Sequence, residues 1–128
     1  MRHILAVLSS MSLWLLPAAA LAHAHLTGAS PEEGAELTES PETIELRYSE
    51  GIEARFSTFS LHSLGSDGAA DPAGAPAVSL GEPAAMNDTG VALAVEETLE
   101  PGDYALVWEV LAQDGHTTSG VLNFSIAD

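Results

Sequence analysis

Beyond His3, this chain carries four histidines, His23, His25, His62 and His116, and no cysteine. Thiolate ligands and thiol nucleophiles are therefore excluded, and past residue 22 the only thioether is Met86. No Gly-x-Ser-x-Gly, His-Glu-x-x-His or glycine-rich phosphate loop occurs, so no hydrolase or nucleotide-binding motif is present. The chemistry left to these residue types is metal coordination by nitrogen and oxygen. Asp114-Gly115-His116 is one candidate donor group, because residues i and i+2 of an extended segment point to the same side. Read alone, it favours an ordinary turn formed by Asp114 with His116 as an exposed strand-start residue; a terminal histidine nearby shifts that balance.

His23 matters because of what precedes it. Arg2, the apolar run from Ile4 to Leu16, Pro17 and the small-x-small pattern Ala20-Leu21-Ala22 read as a secretory signal. The run is shorter than the roughly 20 residues that span a bilayer. Cleavage after Ala22 makes residues 1–22 a signal peptide and residues 23–128 one exported domain, with no membrane span after processing. It also makes His23 the first residue. A terminal histidine offers its α-amine and its ring Nδ1 to one ion, a chelate that no internal histidine can form. With His116 as a third nitrogen and Asp114 as an oxygen, the set is nitrogen-rich and tetragonal, which suits Cu(II). Zinc prefers a tetrahedral site and has no need of the terminus.

The same terminus holds a rival. His25, third in the processed chain, can join the amine and two backbone amides around Cu(II) if the tail is free. A paired strand beginning at His25 would occupy those amides. His62 falls in a Gly-, Ala- and Ser-rich tract from His62 to Ala77 and reads as solvated loop.

The elements that must position these groups read as strands. Ile44, Leu46 and Tyr48 alternate with Glu45 and Arg47, the period of a half-buried strand. Further runs lie at Leu26–Ser30, Arg55–Leu61, Val78–Leu80, Val91–Val95, Tyr104–Leu111 and Gly120–Ile126, with Tyr104–Leu111 expected at the centre and Trp108 as its anchor. Glu32–Pro41 and Gly81–Gly90 read as connections. Asp114-Gly115 marks a hairpin. Leu99-Glu100-Pro101-Gly102-Asp103-Tyr104 resembles the tyrosine corner of Greek-key sandwiches. No helical period follows residue 22. The expectation is an all-β, Greek-key antiparallel β-sandwich or barrel of immunoglobulin-like type with about seven strands.

Charge narrows the partners. There is no lysine, and the first 22 residues carry Arg2 but no acid, so the remaining 106 residues hold two arginines against nineteen acids, a net −17. Such a surface repels nucleic acid and anionic lipid. It attracts cations without selecting among them.

His23-Ala24-His25-Leu26, Ser30-Pro31, Gly34, Tyr48-Ser49-Glu50, Pro101-Gly102-Asp103-Tyr104, Trp108 and Asp114-Gly115-His116 together resemble the CopC family, most closely its YobA-like branch. The likeness covers nearly the whole processed chain. It implies a periplasmic protein, not an enzyme, that holds one Cu(II) through His23, Asp114 and His116 and serves copper homeostasis, resistance or import as a monomer. It also implies a CopD-type inner-membrane copper transporter as partner. Glu50 sits near copper in some members. The methionine cluster of two-site members is missing here, and soft thioethers are what favour Cu(I), so a single Cu(II) site is expected. The terminal histidine also resembles the histidine brace of copper monooxygenases. Those need an open copper position and an aromatic substrate face; this chain is 5% aromatic, and Asp114 would occupy an equatorial place. That reading is the alternative.

Overall fold

A computed structural model describes residues 23–66 and 71–128; the expected signal segment, residues 1–22, lies outside the described residues. Among the described residues, nine strands build two packed sheets. They are β1 (Leu26–Ser30), β2 (Ala35–Leu37), β3 (Thr43–Tyr48), β4 (Thr58–Gly65), β5 (Ala77–Val78), β6 (Ala84–Ala85), β7 (Gly90–Ala94), β8 (Gly102–Leu111) and β9 (Thr117–Ile126). One sheet runs β1-β3-β7-β6 and the other β2-β9-β8-β4-β5. The all-β sandwich expected from the alternating pattern is what forms, with β8 at the centre of the larger sheet.

Several details differ from the sequence reading. The strands number nine rather than about seven because short edge pieces add to the long ones. β2 arises inside the polar connection and pairs parallel with β9, Ala35 opposite Phe124. The two-residue β6 arises inside the second connection and pairs with β7. Arg55 belongs to a 3-10 turn at Ala54–Phe56, so β4 starts later, at Thr58. β4 then continues through His62 to Gly65. His62 is thus a strand residue, half-buried, with Nδ1 3.1 Å from the Ala75 carbonyl and Nε2 3.0 Å from Ser60 Oγ.

The core lies between the sheets. Ile44, Leu46, Tyr48, Val91 and Leu93 face Leu61, Leu106, Trp108, Val110, Leu122, Phe124 and Ile126. Burying one such aliphatic side chain stabilises the fold by about 1.5–3 kcal/mol. Tyr48 meets Trp108 edge to face at 5.2 Å between ring centroids, and burial pushes the Tyr48 phenol above its ordinary range. The tyrosine corner forms as expected: the Tyr104 hydroxyl donates to the Glu100 carbonyl at 2.6 Å.

Trp108 can lie flat across the sheet because its cross-strand partner is Gly120. A Cβ there would stand 2.5 Å from Trp108 Cζ2 and 2.8 Å from Cε2. Gly120→Ala should therefore displace the indole and cost about 1–3 kcal/mol of stability. Thermal unfolding checks this: a midpoint several degrees lower is expected, and an unchanged midpoint would mean the indole does not rest on Gly120.

Candidate metal centre

The β8–β9 hairpin carries Asp114 and His116. Its tip is a turn in which the Gly115 N–H donates to the Ala112 carbonyl at 3.0 Å and the Ala112 N–H to the His116 carbonyl at 2.8 Å. Gly115 has φ +90°, with nothing near its missing Cβ. Its role is conformational: the left-handed residue lets a three-residue loop rejoin the twisted strands. Asp114 completes the turn by accepting the His116 N–H on Oδ1 at 2.9 Å. Its Oδ2 lies 3.2 Å from His116 Nδ1. These contacts, the backbone N–H first and the ring second, hold the exposed Asp114 carboxyl below its usual range. They also turn the His116 ring so that Nε2 is the nitrogen left available. In this rotamer the carboxylate fixes the imidazole tautomer from behind, a contact released when Asp114 turns to ligate.

Opposite the hairpin lies the start of the described chain. Ala24 is buried at 1% exposure, and its carbonyl accepts the Thr118 hydroxyl at 2.7 Å. On the other side of Ala24, the His25 N–H donates to Ser49 Oγ at 3.0 Å and the Ser49 N–H to the His25 carbonyl at 2.9 Å. β1 then pairs with β3, Leu26 against Tyr48. The segment is anchored in the core while His23 and His25 stay exposed.

This anchoring brings His23 to His116. Their rings meet edge to face, 5.2 Å between centroids at an interplanar angle of 83°. Metal–nitrogen bonds of about 2 Å place two imidazoles on one ion with centroids roughly 4.5–6.5 Å apart, from right-angled to opposed ligands. The observed spacing falls inside that range. So His23, Asp114 and His116, separated by up to 93 residues in the chain, share one corner of the sandwich.

Among the described residues, no three His, Cys, Asp or Glu side chains converge closely enough to hold an ion by themselves. Asp114 has both oxygens turned toward His116, so ligation requires this exposed side chain to rotate. A cleft of about 480 Å³ opens beside β1, lined by residues that include Glu32, Glu33, Arg47 and Leu122 and not by His23, Asp114 or His116. An ion held at strand ends by projecting side chains needs no cavity. His25 does not face His116: its Nδ1 lies 3.0 Å from Ser49 Oγ and 3.4 Å from the His23 carbonyl oxygen. His62 lies on β4 with both ring nitrogens at protein oxygens. Glu50 is half-buried in the bend after β3. Thr118 and Ser49, which fasten the segment, were not candidates from sequence. The one signal for Thr118 was its inward position on β9, two residues before Gly120.

Comparison with known proteins gives a consistent picture. A family model described as the CopC domain matches residues 26–127. Protein YobA of Escherichia coli (strain K12) is 32% identical over 129 residues, covering 98% of this chain and 94% of that one. Copper resistance protein C of Escherichia coli is 26% identical, covering 84% and 83%. Among solved structures, CopC from Methylosinus trichosporium OB3b superposes with a TM-score of 0.67 at 26% identity, covering 82% of this chain and 94% of its own.

Proposed function

This chain belongs to the CopC family, and from that premise we propose that it is an exported, periplasmic copper-binding protein that holds one Cu(II) at the His23–His116 corner. Residues 1–22 are its signal peptide. Removing them frees the His23 amine, which grips copper together with its own ring; His116 supplies the third nitrogen and Asp114 an oxygen. The observation that carries this reading is the approach of the His23 and His116 rings to 5.2 Å across the sandwich. The relatives named for copper resistance support the choice of metal. The donor set supports the oxidation state, since two imidazoles, an amine and a carboxylate are borderline-to-hard ligands that suit Cu(II) over Cu(I).

The protein is a carrier or buffer rather than an enzyme, with copper as its cargo, and it acts as a monomer. Its partner is a CopD-type inner-membrane transporter. No helix of the described residues is long and apolar enough to cross a membrane. Calorimetric titration of the processed protein with Cu(II) tests the reading: a one-to-one end point is expected, and no saturable binding would refute it.

The ligand set also fixes a pH dependence. Copper must displace protons from the amine and the imidazoles, so affinity falls as pH falls. Asp114 contributes little to that loss, because its contacts to His116 hold its pKa below the usual carboxylate range and it stays ionised in mild acid. Competition titrations across pH should therefore show the affinity falling through the histidine and amine range and not only at carboxylate pH. A dependence confined to the carboxylate range would contradict the nitrogen donors.

A further inference from the structure

His23-Ala24-His25 spells a second metal-binding mode that the fold holds closed. A free amine with histidine in third position can wrap an ion in one plane, using the amine, the amide nitrogens of Ala24 and His25, and the His25 ring. Four nitrogens in a plane suit Ni(II) as well as Cu(II). That mode would bypass His116 and weaken the distinction between the two metals. It requires the tripeptide to curl until both amide nitrogens face the ion.

Three contacts oppose the curl. Ala24 is buried in the core at 1% exposure, and Thr118 donates its hydroxyl to the Ala24 carbonyl at 2.7 Å. The His25 N–H, one of the two amides required, is spent on Ser49 Oγ at 3.0 Å. The Ser49 N–H in turn holds the His25 carbonyl at 2.9 Å. Yet the His25 ring already leans toward the terminus, with Nδ1 3.4 Å from the His23 carbonyl oxygen. The fourth donor of the planar mode is close by, but it also lies 3.0 Å from Ser49 Oγ, so Ser49 holds both the ring nitrogen and the backbone between.

We propose that Thr118 and Ser49 are specificity-determining residues that pin His23-Ala24-His25 in extended form and so deny it the planar chelate, leaving His23 to meet metal with His116. The inference rests on His23 being the first residue of the processed protein. Neither hydroxyl is a ligand in this account. Thr118 acts through the backbone it holds, and Ser49 through both the His25 N–H and the His25 ring, whose Nδ1 lies 3.0 Å from its Oγ.

The test uses the processed protein, residues 23–128, titrated with Ni(II) and with Cu(II) under visible absorption and circular dichroism. The unmodified protein should show no square-planar Ni(II) band. The Ser49→Ala/Thr118→Val variant should gain that band, and its Cu(II) absorption should shift to shorter wavelength. Adding His25→Ala should abolish both changes. Thr118→Ser keeps a hydroxyl and should behave as the unmodified protein. Ser49 is exposed, so Ser49→Ala alone keeps the fold and should give the same Ni(II) band at partial intensity. A planar Ni(II) band in the unmodified protein overturns the proposal, and so do folded variants that keep its spectra. Cu(II) binding indifferent to His116 would instead count against the ligand set proposed above, while the Ni(II) spectra still decide whether the lock exists.

Discussion

Adding one alanine before His23 of the processed protein should lower Cu(II) affinity by on the order of 10²–10⁴-fold, or about 3–5.5 kcal/mol. The extension leaves every side chain in place. It converts the primary amine into an amide and removes the only donor that lies on the same residue as a ring nitrogen. Two donors on one residue are brought to the ion for a single loss of freedom, so their separation costs more than one ordinary ligand. The buried Ala24 and its bond from Thr118 do not depend on the terminal amine, so the extension should leave the fold unchanged. Calorimetric or competition titration of the two forms side by side reads the difference. Equal affinity would mean that the amine is not a ligand. The unprocessed chain, with Ala22 still attached, should bind as poorly as the extended one.

His116→Ala is the second large effect. Outer partners of metal ligands typically cost 10–100-fold in affinity when removed, and a ligand itself should cost more than that roughly 100-fold. The fold should tolerate the change, because the His116 side chain is 53% exposed and the turn is set by Gly115 and by Asp114 Oδ1 on the His116 N–H, neither of which needs the ring. Unchanged thermal unfolding with weakened Cu(II) binding is the expected pair of results. Unaltered binding would remove the hairpin from the site altogether.

Much of this architecture can be read from the chain, for physical reasons that also explain what cannot. Ile44, Leu46 and Tyr48 announce β3 because one face of that strand is buried and the other wet. The Leu-Gly-Tyr spacing before β8 and the Asp114-Gly115 turn are equally local, and each forms as the sequence suggests. β2 gives no such signal: Ala35–Leu37 is three residues long, and its strand character comes from pairing with Phe124–Ile126, nearly ninety residues away. β4 runs on past Leu61 because β8 continues alongside it, His62 opposite Ala105 and Gly65 opposite Asp103, whereas the sequence from His62 onward is turn-rich. At the candidate centre, Asp114 and His116 can be grouped by their spacing, and His23 by the processing pattern before it. That the two groups share a corner depends on Thr118, Ala24 and Ser49, whose hydrogen bonds span 94 and 24 residues. No periodicity records contacts of that kind.

On the proposed function, export creates the metal site by exposing His23. Native mass spectrometry of the exported protein, with and without added copper, tests it in one experiment. A chain beginning at His23 that gains the mass of one copper ion, and loses that gain in His116→Ala, is the predicted result. A chain beginning at any other residue that takes up copper just as tightly would contradict it.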